Sequence, residues 1–250
     1  PIRDKQHRII AFTARLLPDI LAHDPNAPKY INSSTSLIYD KGNSLFGIDV
    51  AWNVASKAGV MNLVEGAPDV MRLQVIGASN TVAPLGSSWT EAQLSMLKRI
   101  TDRLNIIPDS DIPKEGEHFG VGFTSAMRTG KLALSLGFIV TIQEIPIGDW
   151  KNDPDSYLVS KDKLDELTRQ DFVMWYASKV INLNGENIPQ QAKAIHEVAE
   201  LVKTIPDKVL QESYTDKLIN VYGHENMWKR EIMGVQSIPE RVKKKSQTSS

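Results

Sequence analysis

The sequence predicts an α/β fold: a four-stranded parallel sheet flanked by helices, preceded by a partial α+β region and followed by a small helical bundle. Three observations predict it. Between residues 58 and 158, short apolar runs alternate with amphipathic stretches, as expected for parallel strands joined by crossover helices. Before residue 58, short strands and turns are mixed. After residue 158, three apolar stripes recur at helical spacing.

In the first region, residues 8–12 read as a strand and Asp24-Pro25-Asn26-Ala27-Pro28 as a turn. Residues 44–58 form an amphipathic pattern that places Leu45, Ile48, Trp52 and Ala55 on one helix face. The four strands of the middle region are expected at 60–64, 81–85, 104–107 and 138–145. Helices between them are expected from about 68 to 75, from Thr90 through Leu94, Leu97 and Ile100, and from 123 to 136. In the last region, 162–181, 189–205 and 207–221 each carry an apolar stripe, and Pro206 stops the second. A basic, low-complexity stretch ends the chain and is expected to be flexible. The expected boundaries are 1–57, 58–158, 159–235 and 236–250.

Composition narrows the function classes. The chain has 250 residues, 41% hydrophobic and 24% charged, which fits a soluble protein and supplies enough apolar surface for one or more cores. No apolar run approaches the roughly 20 residues of a membrane span, so no membrane partner is expected. The absence of Cys excludes disulfides and thiolate metal sites, and suits the cytoplasm. A net charge of −1 argues against a simple polyanion-coating protein. The charges are uneven, however: residues 1–57 carry seven Lys/Arg against five Asp/Glu, and 58–158 carry eight against twelve. An acidic middle behind a mildly basic front suits metal ligands beside a nucleic-acid groove. With neither an initiator Met nor a signal peptide, the chain is expected to be a piece of something longer.

Five carboxylates concentrate the chemistry. Glu65 follows the first strand of the middle region, Asp109 and Asp111 end the third, and Asp153 and Asp155 lie after the fourth. In an open parallel sheet these positions fall at the carboxyl edge of the strands, where such folds place their sites. Acidic groups gathered there repel one another unless a cation intervenes, and oxygen-only ligands suit Mg²⁺ or Mn²⁺. Two or more such ions stabilise the attacking and leaving oxygens of phosphoryl transfer. Asp69, just inside a helix start, is assigned to capping. The five histidines show no metal-ligand spacing, and no Gly-Lys-Ser/Thr loop of an NTPase is present.

The motifs resemble a known family. Val64-Glu65-Gly66-Ala67-Pro68-Asp69-Val70 is similar to the first Toprim motif of bacterial DNA primases of the DnaG type. Ala83–Gln93, with Leu85-Gly86 and Thr90 three residues before Gln93, resembles their second strand and next helix start. Pro108-Asp109-Ser110-Asp111 and Asp153-Pro154-Asp155 resemble their paired acidic elements. Upstream, Pro1-Ile2-Arg3-Asp4, Pro28-Lys29-Tyr30-Ile31-Asn32-Ser33 and Lys41-Gly42-Asn43-Ser44 resemble the basic subdomain that precedes Toprim in primases. Other Toprim enzymes, such as topoisomerases and small nucleases, share the acidic elements and lack this front end.

The resemblance implies a catalytic core that joins ribonucleoside triphosphates into RNA primers on single-stranded DNA. Asp109, Asp111 and Asp153 would hold metal ions with Asp155 in support, and Glu65 would act as ligand or general base. Arg3, Arg15, Lys29, Tyr30, Asn32 and Lys41 become candidates for binding triphosphate, template or the RNA–DNA hybrid. No zinc is expected in this Cys-free stretch, and the replicative helicase is expected to bind through a region absent here. Initiation by the chain alone is therefore expected to be weak. Ser110 stands where the family commonly has Gly, so backbone strain is expected there, and 112–122 is longer than the family's usual short turn. The alternatives are a Toprim-type metal-dependent nuclease, or a catalytically silent fragment that binds nucleic acid or helicase.

Overall fold

A computed structural model of the chain describes residues 1–17, 19, 23, 30–148, 152–183 and 187–234. Lys29, the whole turn at 24–28 and the tail from 236 onward lie outside the described residues. Two antiparallel ribbons open the chain: β1 (Ile2–Arg3) with β2 (Ile9–Ala11), and β3 (Thr13–Arg15) with β4 (Tyr30–Asn32). Ile2, Ala11 and Tyr39 bury themselves against Leu85, which ties the first ribbon to the main sheet, and Asn32 of the second donates to the Leu85 carbonyl.

The parallel sheet follows. β6 (Met61–Leu63), β7 (Thr81–Pro84), β8 (Arg103–Ile106) and β9 (Ile139–Gln143) form its centre, with β6 parallel to both β7 and β8, and β8 parallel to β9. Two antiparallel strands extend it at the edges, β5 (Leu45–Phe46) on β7 and β10 (Arg169–Asp171) on β9, giving the order β10-β9-β8-β6-β7-β5. The helices are α1 (Ile48–Ala58), α2 (Ala67–Val75), α3 (Glu91–Leu97), α4 (Val121–Ser135), α5 (Pro154–Tyr157), α6 (Lys161–Glu166), α7 (Phe172–Leu183), α8 (Ile188–Lys203), α9 (Lys208–Tyr222) and α10 (Glu225–Met233).

Both faces of the sheet are covered, which is why its strands read as apolar runs rather than as alternating ones. Met61, Leu63, Val82, Leu104, Ile106, Val140 and Ile142 share one core with α1, α3, α4 and the C-terminal helices. Val64, Ala83, Ile107 and Ile145 share a second with Val70 and Leu73 of α2 and Leu164 of α6. A buried amide ladder crosses the sheet: Asn105 Nδ2 donates to Asn62 Oδ1 (3.0 Å) and Gln143 Oε1 (2.8 Å). Gln143 in turn donates to the Leu164 and Leu167 carbonyls (3.4 and 3.0 Å), so these buried amides find partners and fasten α6 to the sheet.

Three expectations need correction. The helix expected at 44–58 starts at Ile48, because Leu45 and Phe46 pair with β7 and Gly47 turns the chain at φ 82°. That left-handed angle suits Gly, and a Cβ there would stand 2.5 Å from Val70 Cγ1. The helix expected at 162–181 is two helices with β10 between them, since Arg169, Gln170 and Asp171 pair with Gln143, Ile142 and Thr141. The helical bundle also gains α10, whose Trp228 is fully buried.

Candidate functional site

The carboxyl edge of the parallel sheet gathers acidic groups from three strand ends. β6 runs out into Val64-Glu65-Gly66 and β8 into Ile107-Pro108-Asp109. The Ile107 N–H donates to the Leu63 carbonyl (2.9 Å), which keeps the two ends side by side. Glu65 and Asp109 therefore meet, and the Asp109 N–H donates to Glu65 Oε1 at 3.4 Å. The segment after β9 is brought in by a backbone bridge: the Ser110 N–H donates to the Asn152 carbonyl (2.7 Å), and the Asn152 N–H to the Ser110 carbonyl (3.1 Å). Asp109 and Asp111 thus flank a residue paired next door to Asp153.

Asp111 is oriented by α4. Gly122, in its first turn, donates its N–H to Asp111 Oδ2 at 2.8 Å, and the positive end of the helix favours the carboxylate. The approach is so close that a Cβ on Gly122 would stand 2.2 Å from the Asp109 carbonyl oxygen. Ser110 is buried and does not lie among the positive-φ residues, so the strain expected of Ser in place of Gly is absent.

The other two acidic positions are engaged locally. Asp153 caps α5, accepting the Ser156 N–H at 2.8 Å. Asp155 pairs with Arg72 of α2, whose Nε donates to its carbonyl (2.9 Å) and to Oδ1 (3.2 Å). Asp69 is the residue that sequence reasoning undervalued. It does cap α2, accepting the Gly66 N–H at 3.0 Å, but its other oxygen accepts the Asp155 N–H at 3.1 Å. Only 5% exposed, it is pushed up to about 7, first by burial and then by the charges of Asp109 and Asp153; the two N–H donors offset part of the rise. The available signal was its place four residues after Glu65, on the helix that leaves the same strand end.

The basic candidates divide. Tyr30 and Asn32 line a cleft together with Glu65 and Gly66, and Asn32 Nδ2 donates to the Leu85 carbonyl (2.6 Å). Arg15 lies over the Tyr30 ring, 5.9 Å from its centroid. The exposed Lys41 sits in a turn clamped by the next helix start: Gln93 Nε2 donates to the Lys41 and Ser44 carbonyls (2.9 Å each), and Thr90 Oγ1 to the Gly42 carbonyl (2.6 Å). Arg3 is turned elsewhere, into a cleft with Arg8, Trp52 and Arg99 that none of the five acidic residues lines.

A hard divalent cation fits this donor chemistry, since the groups at this edge are carboxylates whose charges raise the buried Asp69. The arrangement is open rather than closed on an ion: among the described residues, no three carboxylate or imidazole groups converge closely enough to hold one.

Three family models match in succession: the N-terminal domain of the DNA primase catalytic core at residues 1–52, a Toprim-like domain at 62–158, and the DnaB-helicase binding domain of primase at 170–223. The chain belongs to the bacterial DnaG-type primases. The DNA primase of Halalkalibacterium halodurans is 34% identical over 215 residues, which are 82% of this chain and 33% of that protein. The Aquifex aeolicus primase structure, with zinc-binding and RNA polymerase domains, superposes with a TM-score of 0.70 at 26% identity, covering 94% of this chain and 53% of that one. A DNA primase domain from Pseudomonas aeruginosa shares the fold, with a TM-score of 0.75 at 24% identity over 93% of this chain and 70% of that one. The chain spans about a third of the length of the curated primases it matches. Primases with this Toprim-like domain depend in general on divalent metal ions. The helicase-binding match falls on α7, α8 and α9, within this chain, where the helicase-contacting region was expected to lie outside it. Among the described residues, no helix is long and apolar enough to cross a membrane.

Proposed function

We propose that this chain is the part of a cytoplasmic replication primase that joins ribonucleoside triphosphates into short RNA primers on single-stranded DNA, with release of pyrophosphate. The observation that carries the reading is that Glu65 and Asp109 leave adjacent strand ends, with Asp69 near enough to feel the Asp109 charge, beside the cleft that Tyr30 and Asn32 share with Glu65. Two or more Mg²⁺ or Mn²⁺ ions would be held by Asp109, Asp111 and Asp153, with Asp155 in support. When bound, they neutralise triphosphate charge and ease ionisation of the attacking 3′-hydroxyl.

The protein's own groups have distinct tasks. Glu65 stands on the walls of two clefts, with one oxygen accepting the Asp109 N–H, so it is positioned to take the hydroxyl proton or to complete a cation's shell. Asp111 is aimed by the Gly122 N–H. Tyr30 and Asn32 are assigned to the triphosphate or to the growing RNA–DNA hybrid, with Arg15, Lys29 and Lys41 as flanking phosphate contacts. Arg3, in a separate cleft, is assigned to the template strand further from the reacting atoms. The replicative helicase is assigned to α7–α9, on the strength of the family match there.

The test is Mn²⁺-dependent incorporation of ribonucleotides on a single-stranded template, run beside an Asp109→Ala/Asp111→Ala variant. Template-dependent products that vanish in the variant, together with its saturable Mn²⁺ binding by calorimetry, are the expected result. Shortening of end-labelled template in place of synthesis would overturn the reading in favour of a nuclease.

A further inference from the structure

The long segment between the Asp109–Asp111 turn and α4 builds an aromatic slot that primer chemistry at the carboxylates leaves unexplained. Phe119 stacks on Phe123 of α4, with ring centroids 3.7 Å apart and 14° from parallel. Phe123 lies 4.8 Å from the ring of Trp175 on α7. With Ile145 beyond β9, these rings line a cavity of about 120 Å³ whose remaining wall includes Asp109 and Asp111 themselves. Lys179, which also lines it, is ion-paired with Glu144 at 2.8 Å. Trp175 is 2% exposed, and its indole Nε1 is a buried donor with no acceptor among the described residues. The space is well below the ~300 Å³ at which whole drug-sized ligands are accommodated, so it suits one planar ring system rather than an entire nucleotide.

We propose that this slot is a nucleobase subsite: the base of a ribonucleoside triphosphate stacks beside Phe119 and Phe123 while its phosphates reach Asp109 and Asp111 through bound cations. The proposal rests on the triphosphate reading given above. A ligand that needs an apolar planar pocket and a metal-binding anion site in contact with each other has the composition of a nucleotide. Aromatic stacking holds any base, because every base has a π face. The Glu144–Lys179 pair then offers an acceptor for an exocyclic amino group and a donor for a ring carbonyl.

Calorimetry on this chain in Mg²⁺ separates the parts, using ATP, GTP and inorganic tripolyphosphate as probes. ATP or GTP is expected to bind about ten-fold more tightly than tripolyphosphate. Phe119→Leu, which keeps an apolar side chain and loses the ring, should erase that advantage and leave tripolyphosphate affinity unchanged. Lys179→Met should alter the ratio of GTP to ATP affinity, with thermal melts confirming that both variants are folded. An unchanged nucleotide affinity in Phe119→Leu, or an equal loss for all three probes, overturns the base subsite while leaving the triphosphate reading intact. Failure of the unsubstituted chain to bind any of the three sinks the triphosphate reading and this inference with it.

Discussion

Two acidic pairs with the same spacing, Asp109–Asp111 and Asp153–Asp155, are held by opposite means. In the first pair, Asp111 Oδ2 accepts the Gly122 N–H, and the Asp109 backbone N–H donates to Glu65 Oε1. The second is tied into local structure: Asp153 is a helix cap, and Asp155 is paired with Arg72 across 83 residues of chain. N–H donors fix the direction of the Asp111 and Asp153 carboxylates, whereas the Arg72 guanidinium already offsets part of the Asp155 charge. Of the four, Asp155 is therefore the one suited to a supporting role, beside Asp109, Asp111 and Asp153 as the proposed ligands.

Neutralising each pair separately sharpens the contrast most. Asp109→Asn/Asp111→Asn is expected to weaken Mn²⁺ binding by more than about 100-fold. Asp153→Asn/Asp155→Asn should weaken it by roughly 10-fold, the scale of losses seen when groups supporting a metal's ligands are removed. Calorimetry on both gives the ratio, and equal losses would erase the distinction between the pairs.

The dipole mechanism has a steric requirement. A methyl group on Gly122 meets the Asp109 carbonyl at 2.2 Å, so Gly122→Ala must push α4 away from the acidic turn. A stability loss of about 1–3 kcal/mol by urea titration is expected, together with weaker Mn²⁺ binding.

Asp69 joins the two pairs and supplies a pH signature. Its carboxyl in the folded chain titrates near 7, against 3.8 for the ordinary group, so the folded state holds a proton that the unfolded state releases. The sign is that of a raised pKa: its contribution is most favourable below about pH 4 and is lost as pH rises toward 7. Without metal, thermal stability should therefore fall over that window, beyond what the exposed carboxylates contribute. Added Mg²⁺ should restore more of it at pH 8 than at pH 5. Carboxyl carbon NMR of Asp69 should give a midpoint near 7 that drops on adding Mg²⁺; an ordinary midpoint near 4 in the metal-free chain would remove Asp69 from the cluster.

The smallest effect is expected at the residue between Asp109 and Asp111. Ser110→Gly should leave metal affinity unchanged and cost less than about 1 kcal/mol, because Ser110 needs no left-handed backbone and only the added freedom of Gly in the unfolded chain counts. A gain in affinity would show that Ser strains the turn after all.

Much of this was legible before the fold was known, and the parts that were not have a common cause. The alternation of buried strands and amphipathic helices over 58–158 is a local pattern, set by burial on both sheet faces, and it returned the four parallel strands. The break at β10 was hidden because Leu164, Leu167, Phe172 and Trp175 keep helical spacing across it; pairing with β9 is a contact that periodicity does not record. Asp69 was hidden in the same way, since its position four residues after Glu65 says helix cap as readily as cluster member.

By itself the sequence determined which strands end in carboxylates and, from the parallel order they imply, that these share one edge. Only the tertiary structure decided that Asp155 pairs with Arg72, that burial and neighbouring charge raise Asp69, and that the segment after Asp111 closes an aromatic slot beside the acidic turn. The physical reason is that patterning fixes the direction in which a side chain leaves its own element. Desolvation and Coulomb energy depend instead on which groups, here up to 86 residues away in the chain, arrive on the other side.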